Sequence, residues 1–568
     1  MEKEFGVGEK VLQITEQNID KVFSYDFYGY ELEIKINKNK YDFFELAYRA
    51  LQKDMYFWEV GTILIKLIPY SKLNKNSILK FLKFLYEKEN GTSIHFQITQ
   101  QLAKIDKNLT FNLLKEFLNI KEEFCIPHIG AILVELHNTY KINQFKTILE
   151  YLDSKNEFKQ RCVIGKIHLF DLSEDEVEII FKKFEHLINQ SPKIDLLIIY
   201  NSYDLIKKGY EYFSEIILRF VKSRDKDIKF AISQILVFGS EVFLEREWYL
   251  KLFFSLLNIE TSYIANNIDL ILRAFLKKNE YQVIEKFLYD WSIRGDLVKI
   301  INHNQLSHFI YGFNKSNYFS TFITKALNYK NEKLHLVISN IIHKLFLHRN
   351  ISSLSLENIK LDQIVLENFD FDDYIYVIRK ILGYFYEFEV INNLILSILK
   401  VDNLSKQIIN EVKGVIINFI GKNYPYDTKQ FYKNLNDEIL NEIEKEVKYY
   451  VLKVLNKRIE DYKKLSSLKE VEPPKSQTKK ILRANSIVMN KAIEKARKED
   501  SLSSLFFGNE IIIRYGKSSF LEINGEISDI SYLQTFESKV SVPVASQAYP
   551  IALELEMKIF RLAKKGDK

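Results

Sequence analysis

A mainly α chain of stacked antiparallel helix pairs, an α-solenoid followed by a small C-terminal α+β domain, is the fold class that three observations predict. Glycine and proline are scarce, 18 and 8 in 568 residues, and no proline occurs between Pro192 and Pro425. An all-β chain with many tight turns would need more of both. Amphipathic stretches with apolar residues at i, i+3, i+4 and i+7 follow one another along most of the chain, as in Phe213, Ile216, Ile217 and Phe220. These stretches come in pairs that recur about every 34 residues, the mark of a repeat array in which each unit completes its core against its neighbours.

Taken in order, residues 1–42 read as an N-terminal cap. Its run YELEIKI (Tyr30–Ile36) alternates Leu32, Ile34 and Ile36 with charges, a strand pattern that would form a hairpin cap on the first repeat. The array then spans 43–464, with first helices opening near Phe43, Ile78, Phe111, Phe145, Val177, Tyr212, Trp248, Tyr281 and Tyr318. An insertion, 351–372, ends in the acidic turn Glu367, Asp370, Asp372 and Asp373, after which the array resumes at Tyr374 and Lys406. One long helix from Lys429 to about Lys464 is expected to cap it. Residues 465–483 form a basic linker through Pro473 and Pro474, extended and mobile by composition. Residues 484–568 change character: a helix Ala484–Arg497, then the β-like runs EIIIRY (510–515), SSFLEI (518–523) and FESKVSVPV (536–544). Asn524-Gly525 signals a hairpin, and Pro550 suits the first turn of a closing helix.

Two stretches carry a resemblance. In FVKSRDKDIKFAISQILVFGS (220–240), Asp225 and Asp227 sit in the turn, and small Ala231 lies where the helices would cross. ALNYKNEKLHLVISNIIHKLF (326–346) has Asn331 at the corresponding turn. Both resemble HEAT repeats. The Trp, Leu-Gly, Tyr, Ala and Pro signature of tetratricopeptide repeats is absent from the units. The resemblance covers roughly residues 43–420 and is architectural: it implies a scaffold and carries no chemistry with it.

Composition narrows the function classes. With 47% hydrophobic residues the chain has a large core, and bulk disorder is excluded. Cys125 and Cys162 are too few for a disulfide framework or a zinc site of their own, and read as buried thiols of a reducing compartment. The start MEKEFGVGEK has no apolar core of a secretory signal, and no stretch approaches the ~18 uncharged apolar residues of a membrane span. A soluble, cytoplasmic protein is expected. The net charge of +6 is concentrated in residues 451–500, where 14 Lys/Arg face 7 Asp/Glu.

Motifs for chemistry are sparse. Gly6-Val-Gly8-Glu-Lys10 lacks both the spacing and the Ser/Thr of a phosphate-binding loop, and GxSxG, HExxH and paired CxxC are missing. Asp26, Glu33 and Lys35 form a D…ExK pattern that resembles the metal-binding core of PD-(D/E)xK nucleases, where two carboxylates hold Mg²⁺ and the lysine assists the attacking water. The solvated face of an edge strand gives the same pattern. Asp370, Asp372 and Asp373 could offer oxygen ligands to a hard cation, and equally could cap the helix after them. His303, His308, His335, His343 and His348 lie close in sequence, but His335 and His343 are eight apart, about 12 Å along a helix, too far for one metal ion.

Lys475, Lys479, Lys480, Arg483, Lys491, Lys495, Arg497 and Lys498 are the candidates for phosphate contact, since Lys491, Lys495 and Lys498 share one helical face. No aromatic platform alternates with them, as a single-strand binder would require. The leading expectation is therefore a non-catalytic interaction scaffold with no cofactor, binding a protein partner through its solenoid surface as a subunit of a larger microbial assembly. The alternative is a helical-repeat protein gripping nucleic-acid backbone through residues 475–498.

Overall fold

A computed structural model describes residues 11–566 apart from 16–18, 20–21, 24–30, 54–55, 90–93, 259–262, 295–296, 303–304, 348–358, 465–510, 516–517, 524–525, 528–530 and 533–549. It is mainly α, with many consecutive packed helices. The chain separates into two compact units, residues 1–313 and 314–568, a boundary that periodicity alone did not indicate.

The first unit opens with β1 (Val11–Ile14) and β2 (Glu31–Ile34). The two strands pair in parallel, Gln13 opposite Glu33, so they are joined by a crossover and not by the expected hairpin. Helices follow as α1 (Phe43–Gln52), α2 (Phe57–Leu67), α3 (Lys75–Glu89), α4 (Ile94–Ile105), α5 (Lys107–Ile120), α6 (Cys125–Asn138), α7 (Phe145–Leu152), α8 (Glu157–Ile164) and α9 (Glu174–Leu187). The unit continues with α10 (Pro192–Lys207), α11 (Ser214–Leu218), α12 (Lys226–Gly239), α13 (Glu247–Ser255), α14 (Ala265–Lys277), α15 (Tyr281–Arg294), α16 (Leu297–Asn302) and α17 (Ser307–Asn314). Helix starts fall within about four residues of those expected from the periodicity.

Turn chemistry sets these boundaries. Asp42, Asp106, Asn156 and Asp225 each accept hydrogen bonds from backbone N–H groups in the first turn of the helix they precede. Ser173 and Glu176 form a reciprocal capping box on α9. Packing then links alternate helices: α2 lies on α4, α4 on α6, α6 on α8, α8 on α10, α10 on α12, and α12 on α14. Where α6 meets α8 the approach is so close that a Cβ on Gly130 would lie 2.5 Å from the Cys162 carbonyl oxygen.

Lys229, on α12, is fully buried among backbone and hydroxyl oxygens. Its Nζ donates to the Val221 carbonyl (2.7 Å) and to the Ser255 carbonyl and Oγ (both 3.1 Å). These oxygens lie at the ends of neighbouring helical segments, where backbone carbonyls lack intrahelical donors and the dipole favours a cation.

The second unit contains α18 (Tyr318–Asn328), α19 (Glu332–Leu347), α20 (Gln363–Leu366), α21 (Phe371–Tyr384), α22 (Phe388–Ile398), α23 (Lys406–Val415), a π-helical turn Ile416–Ile420, α24 (Gly421–Asn423), α25 (Pro425–Asn434) and α26 (Glu442–Lys464). The expected single helix over 429–464 is two. Asn441 and Glu444 form a capping box that starts α26, and buried Lys448 donates to the Leu435 carbonyl and to Asp437 (2.7 Å each), fixing the intervening turn. Local side-chain bonds to backbone outweigh helix propensity there. The described part of the insertion is built into the core: Ile359, Leu361 and Leu366 are buried, and Gln363 donates to the Ser397 carbonyl at 2.9 Å.

Strands β3 (Ile511–Tyr515), β4 (Ser518–Ile523), β5 (Glu526–Ile527) and β6 (Ser531–Tyr532) form one antiparallel sheet, with Ile523 opposite Glu526 across the position of Asn524-Gly525. The last helix, α27 (Pro550–Leu562), packs against α21. The expected separate α+β domain is therefore not seen: its closing helix belongs to the helical body. Helix Ala484–Arg497 and the run 536–544 lie outside the described residues.

Replacing Lys229 with Met should lower stability by about 1–3 kcal/mol at pH 7, because three buried acceptors lose their donor. Burial lowers the Lys229 pKa to about 8, so between that pH and the ordinary lysine range the unfolded chain binds more protons than the folded one. The wild type should accordingly gain stability relative to Lys229→Met as pH rises from about 8 to 10, measured by urea unfolding.

Candidate protein-docking surface

The last helix has apolar residues on two sides. Leu553 and Met557 face inward and are buried, four residues apart as one helical face requires. Phe560 meets Phe419 edge-on at 5.2 Å. Gly383 on α21 permits the close approach, since a Cβ there would lie 2.9 Å from the Arg561 backbone nitrogen.

Polar contacts lock the helix end. The Lys380 side chain, buried beneath it, donates to the Arg561 carbonyl (2.6 Å) and the Ala563 carbonyl (2.8 Å), carbonyls left over at a helix C-terminus. Arg561 reaches the Gly383 carbonyl, Glu554 (2.6 Å) and the Tyr386 hydroxyl (2.8 Å), and Tyr386 in turn donates to Glu554 at 3.1 Å. Lys422 pairs with Glu556 at 2.7 Å, and Lys565 pairs with Asp373.

The opposite side of α27 has no such cover among the described residues. Ile551, Leu555, Ile559 and Leu562 are 77%, 57%, 68% and 60% exposed. Their spacing of four, four and three residues lines them up as one ridge. Grooves flank it on both sides. One, of about 720 Å³, has Leu336 and Tyr384 on its far wall; the other, of about 400 Å³, has Leu382, Val415 and Phe419. A continuous apolar ridge between two grooves is the kind of surface that protein partners cover.

Two carboxylates in the lock are held below the usual range. The hydrogen bond from Arg561 is the main cause at Glu554. At Asp373 burial opposes ionisation, but hydrogen bonds from Lys565, Asn328 and the backbone of Asp370 outweigh it.

The residues singled out in the sequence do not converge on this surface as a set. Asp370 and Asp373 form the capping box of α21, with Asp373 further engaged by Lys565. The acidic turn thus serves as the start of a helix and as a dock for the chain end; Asp372 lies in that first turn. Lys35 follows β2 and is exposed, and its backbone N–H donates to Ile14. Glu33 lies on β2, whereas Asp26 falls outside the described residues, as do Lys475, Lys479, Lys480, Arg483, Lys491, Lys495, Arg497 and Lys498. On α19, buried His335 shares its Nε2 with the Leu327 carbonyl at 3.2 Å, and His343 pairs with Glu387. His303 and His348 lie outside the described residues. Among the described residues, no group of three or more His, Cys, Asp or Glu is placed to hold a metal ion.

The ridge itself was missed. Its signal was present: α27 carries apolar residues at 551, 553, 555, 557, 559, 560 and 562, too wide a spread for one buried stripe.

The first unit holds a buried polar cluster with a different character. Thr99 and His128 share a hydrogen bond of 2.7 Å, Phe117 stacks on His128 at 5.1 Å, and His95 lies edge-on to it at 5.4 Å. Burial, helped by His95 and Lys166, holds His128 well below its ordinary pKa, so it stays neutral. Burial also pushes the Cys125 thiol up to about 11 and Cys162 up to about 12, which leaves both as packing groups without thiolate reactivity.

Acid should release α27 before the body of its unit. Glu554 and Asp373 favour the folded state above the ordinary carboxylate range, and that contribution is lost as pH falls through their lowered values. Amide-exchange protection factors over 550–562, corrected for intrinsic rates, should therefore fall below about pH 4 while those of α22 persist. Gly383→Ala should have the same local effect at pH 7, despite a helix-propensity gain of about 1 kcal/mol, because the added methyl strikes backbone.

None of the helices among the described residues is long and apolar enough to cross a membrane. Compared with known proteins, the chain matches no family model and no curated protein.

Proposed function

We propose that this chain is a non-catalytic interaction scaffold, a HEAT-like array of helix pairs that binds a protein partner and works as a subunit of a larger microbial assembly. The observation that carries the reading is the exposed ridge Ile551, Leu555, Ile559 and Leu562. Covering what remains exposed of these four large side chains recovers part of the roughly 1.5–3 kcal/mol that full burial of each contributes, so a covering partner gains from the hydrophobic effect directly. The lock around Arg561 and Lys380 supports the reading, because a helix held at its C-terminus offers a pre-ordered surface and a smaller entropic cost of association. The packing of alternate helices from α2 to α14 supports the repeat array, in which each pair completes its core against the next.

Affinity capture from native-host extract, with and without nuclease, tests this reading. A stoichiometric protein should be retained after nuclease treatment, and the double variant Leu555→Glu, Ile559→Glu should lose it. If the captured material is nucleic acid, or disappears with nuclease, the scaffold reading falls and the basic residues 475–498 become the functional centre.

A further inference from the structure

We propose that the aromatic groove between α9 and the turn ahead of α11 docks a short basic segment of a partner protein, holding its arginine side chains between tyrosine rings and carboxylates. The groove lies in the first unit, so it adds to the proposed scaffold a contact that does not depend on the ridge of α27.

The groove encloses about 810 Å³, within the range of clefts that hold ligands. One wall is the outer side of α9. Glu174, Glu178, Phe181 and Glu185 follow at spacings of four, three and four residues, which sets them on one side of the helix over about 16 Å. The other wall is the chain that leaves α10. Gly209, at φ +103°, turns it away from the helix, a backbone conformation that glycine adopts without strain. Tyr210 and Tyr212 then come to line the groove. The Tyr212 ring meets Phe181 edge-on at 5.3 Å and Tyr210 edge-on at 6.2 Å, yet 38% of Tyr212 stays exposed. Three aromatic rings thus line a groove that is open to water.

Charge selects the occupant. Five carboxylates and two ammonium groups line the groove. Glu178 is paired with Lys182 at 2.7 Å, and Glu185 with Arg219. Glu174, Asp175 and Glu215 form no ion pair among the described residues, and they outnumber Lys208, the lining cation in the same condition. Such a field draws cations and turns away phosphate chains and acidic surfaces. The rings narrow the class further. A guanidinium group is planar and weakly hydrated, stacks on aromatic faces and meets a carboxylate through two parallel hydrogen bonds. An ammonium group is a compact, strongly hydrated point charge and gains less from the same wall. An extended peptide advances about 3.3 Å per residue, so the wall formed by α9 matches about five residues.

Fluorescence anisotropy on the full chain, with fluorescein-labelled penta-arginine and penta-lysine as probes, tests the proposal. Wild type should bind penta-arginine several-fold more tightly than penta-lysine. Glu174→Gln with Glu215→Gln should weaken binding by about ten-fold or more. Lys208→Glu should tighten it several-fold, a gain that a misfolded variant does not produce. Tyr212→Ala should remove the preference for arginine. Glu87→Gln with Glu150→Gln makes the same change in net charge outside the groove and should leave the affinity unchanged. No binding at concentrations up to about 1 mM, equal weakening by the two charge-neutralised pairs, no gain from Lys208→Glu, or equal affinity for the two peptides would each overturn the proposal. The ridge variant Leu555→Glu, Ile559→Glu should bind penta-arginine as the wild type does, so groove and ridge fail or stand separately; loss of the peptide in that variant would overturn the groove as its site.

Discussion

Along much of the first unit, helices depend on the helix two places along the chain. Most helices run for 8 to 16 residues, and α26 for 23. Isolated helices of roughly 12–15 residues or fewer are marginal in water, because the nucleation cost is spread over too few hydrogen bonds. Packing of α4 on α6, α6 on α8, α8 on α10 and α10 on α12 therefore stabilises helices and core together. Caps such as Asp42, Ser173 and Asp370 set where helices begin, while mutual burial supplies most of the stability.

The same dependence creates a polar problem at the helix ends, where carbonyls lose their intrahelical donors inside a packed body. Lysine is the recurrent answer. Lys229 serves Val221 and Ser255, Lys380 serves Arg561 and Ala563, and Lys448 serves Leu435 together with Asp437. In each case a flexible stem runs through apolar surroundings and an ammonium group reaches carbonyls of another segment. The Lys229 and Lys448 contacts fix turns and neighbouring segments, whereas those of Lys380 join stretches about 180 residues apart and so specify which distant ends meet. At Lys380 the join makes α27 part of the second unit, with Ile551, Leu555, Ile559 and Leu562 on its exposed side.

Helix positions were legible because they rest on short-range physics. Apolar residues three and four apart, and Asp or Asn ahead of them, placed the starts at Phe43, Phe145, Tyr281 and Tyr318, where helices do begin. The hairpin signal Asn524-Gly525 likewise agrees with the antiparallel pairing of β4 and β5. The break between α25 and α26 was legible only in part: Asn436, Asp437 and Asn441 advertise a turn, but whether three side chains close it depends on Lys448 reaching back from the next helix.

The exposed apolar ridge of α27 lay beyond that range. Periodicity says that α27 is apolar on two sides, but hydrophobic burial is non-directional and names no partner for either side. Leu553 and Met557 turned inward because α21 offered Gly383, where backbones can approach, and Lys380, which meets the helix end. Those residues stand about 170 to 180 positions away. The turn towards Asp373 is similar: its acidity was visible in the sequence, its use as an anchor for Lys565 was not. Composition and period thus specified helices and their order, since both are local properties of the chain. The choice of which apolar face to bury belonged to contacts between distant segments, and it left Ile551, Leu555, Ile559 and Leu562 facing outward.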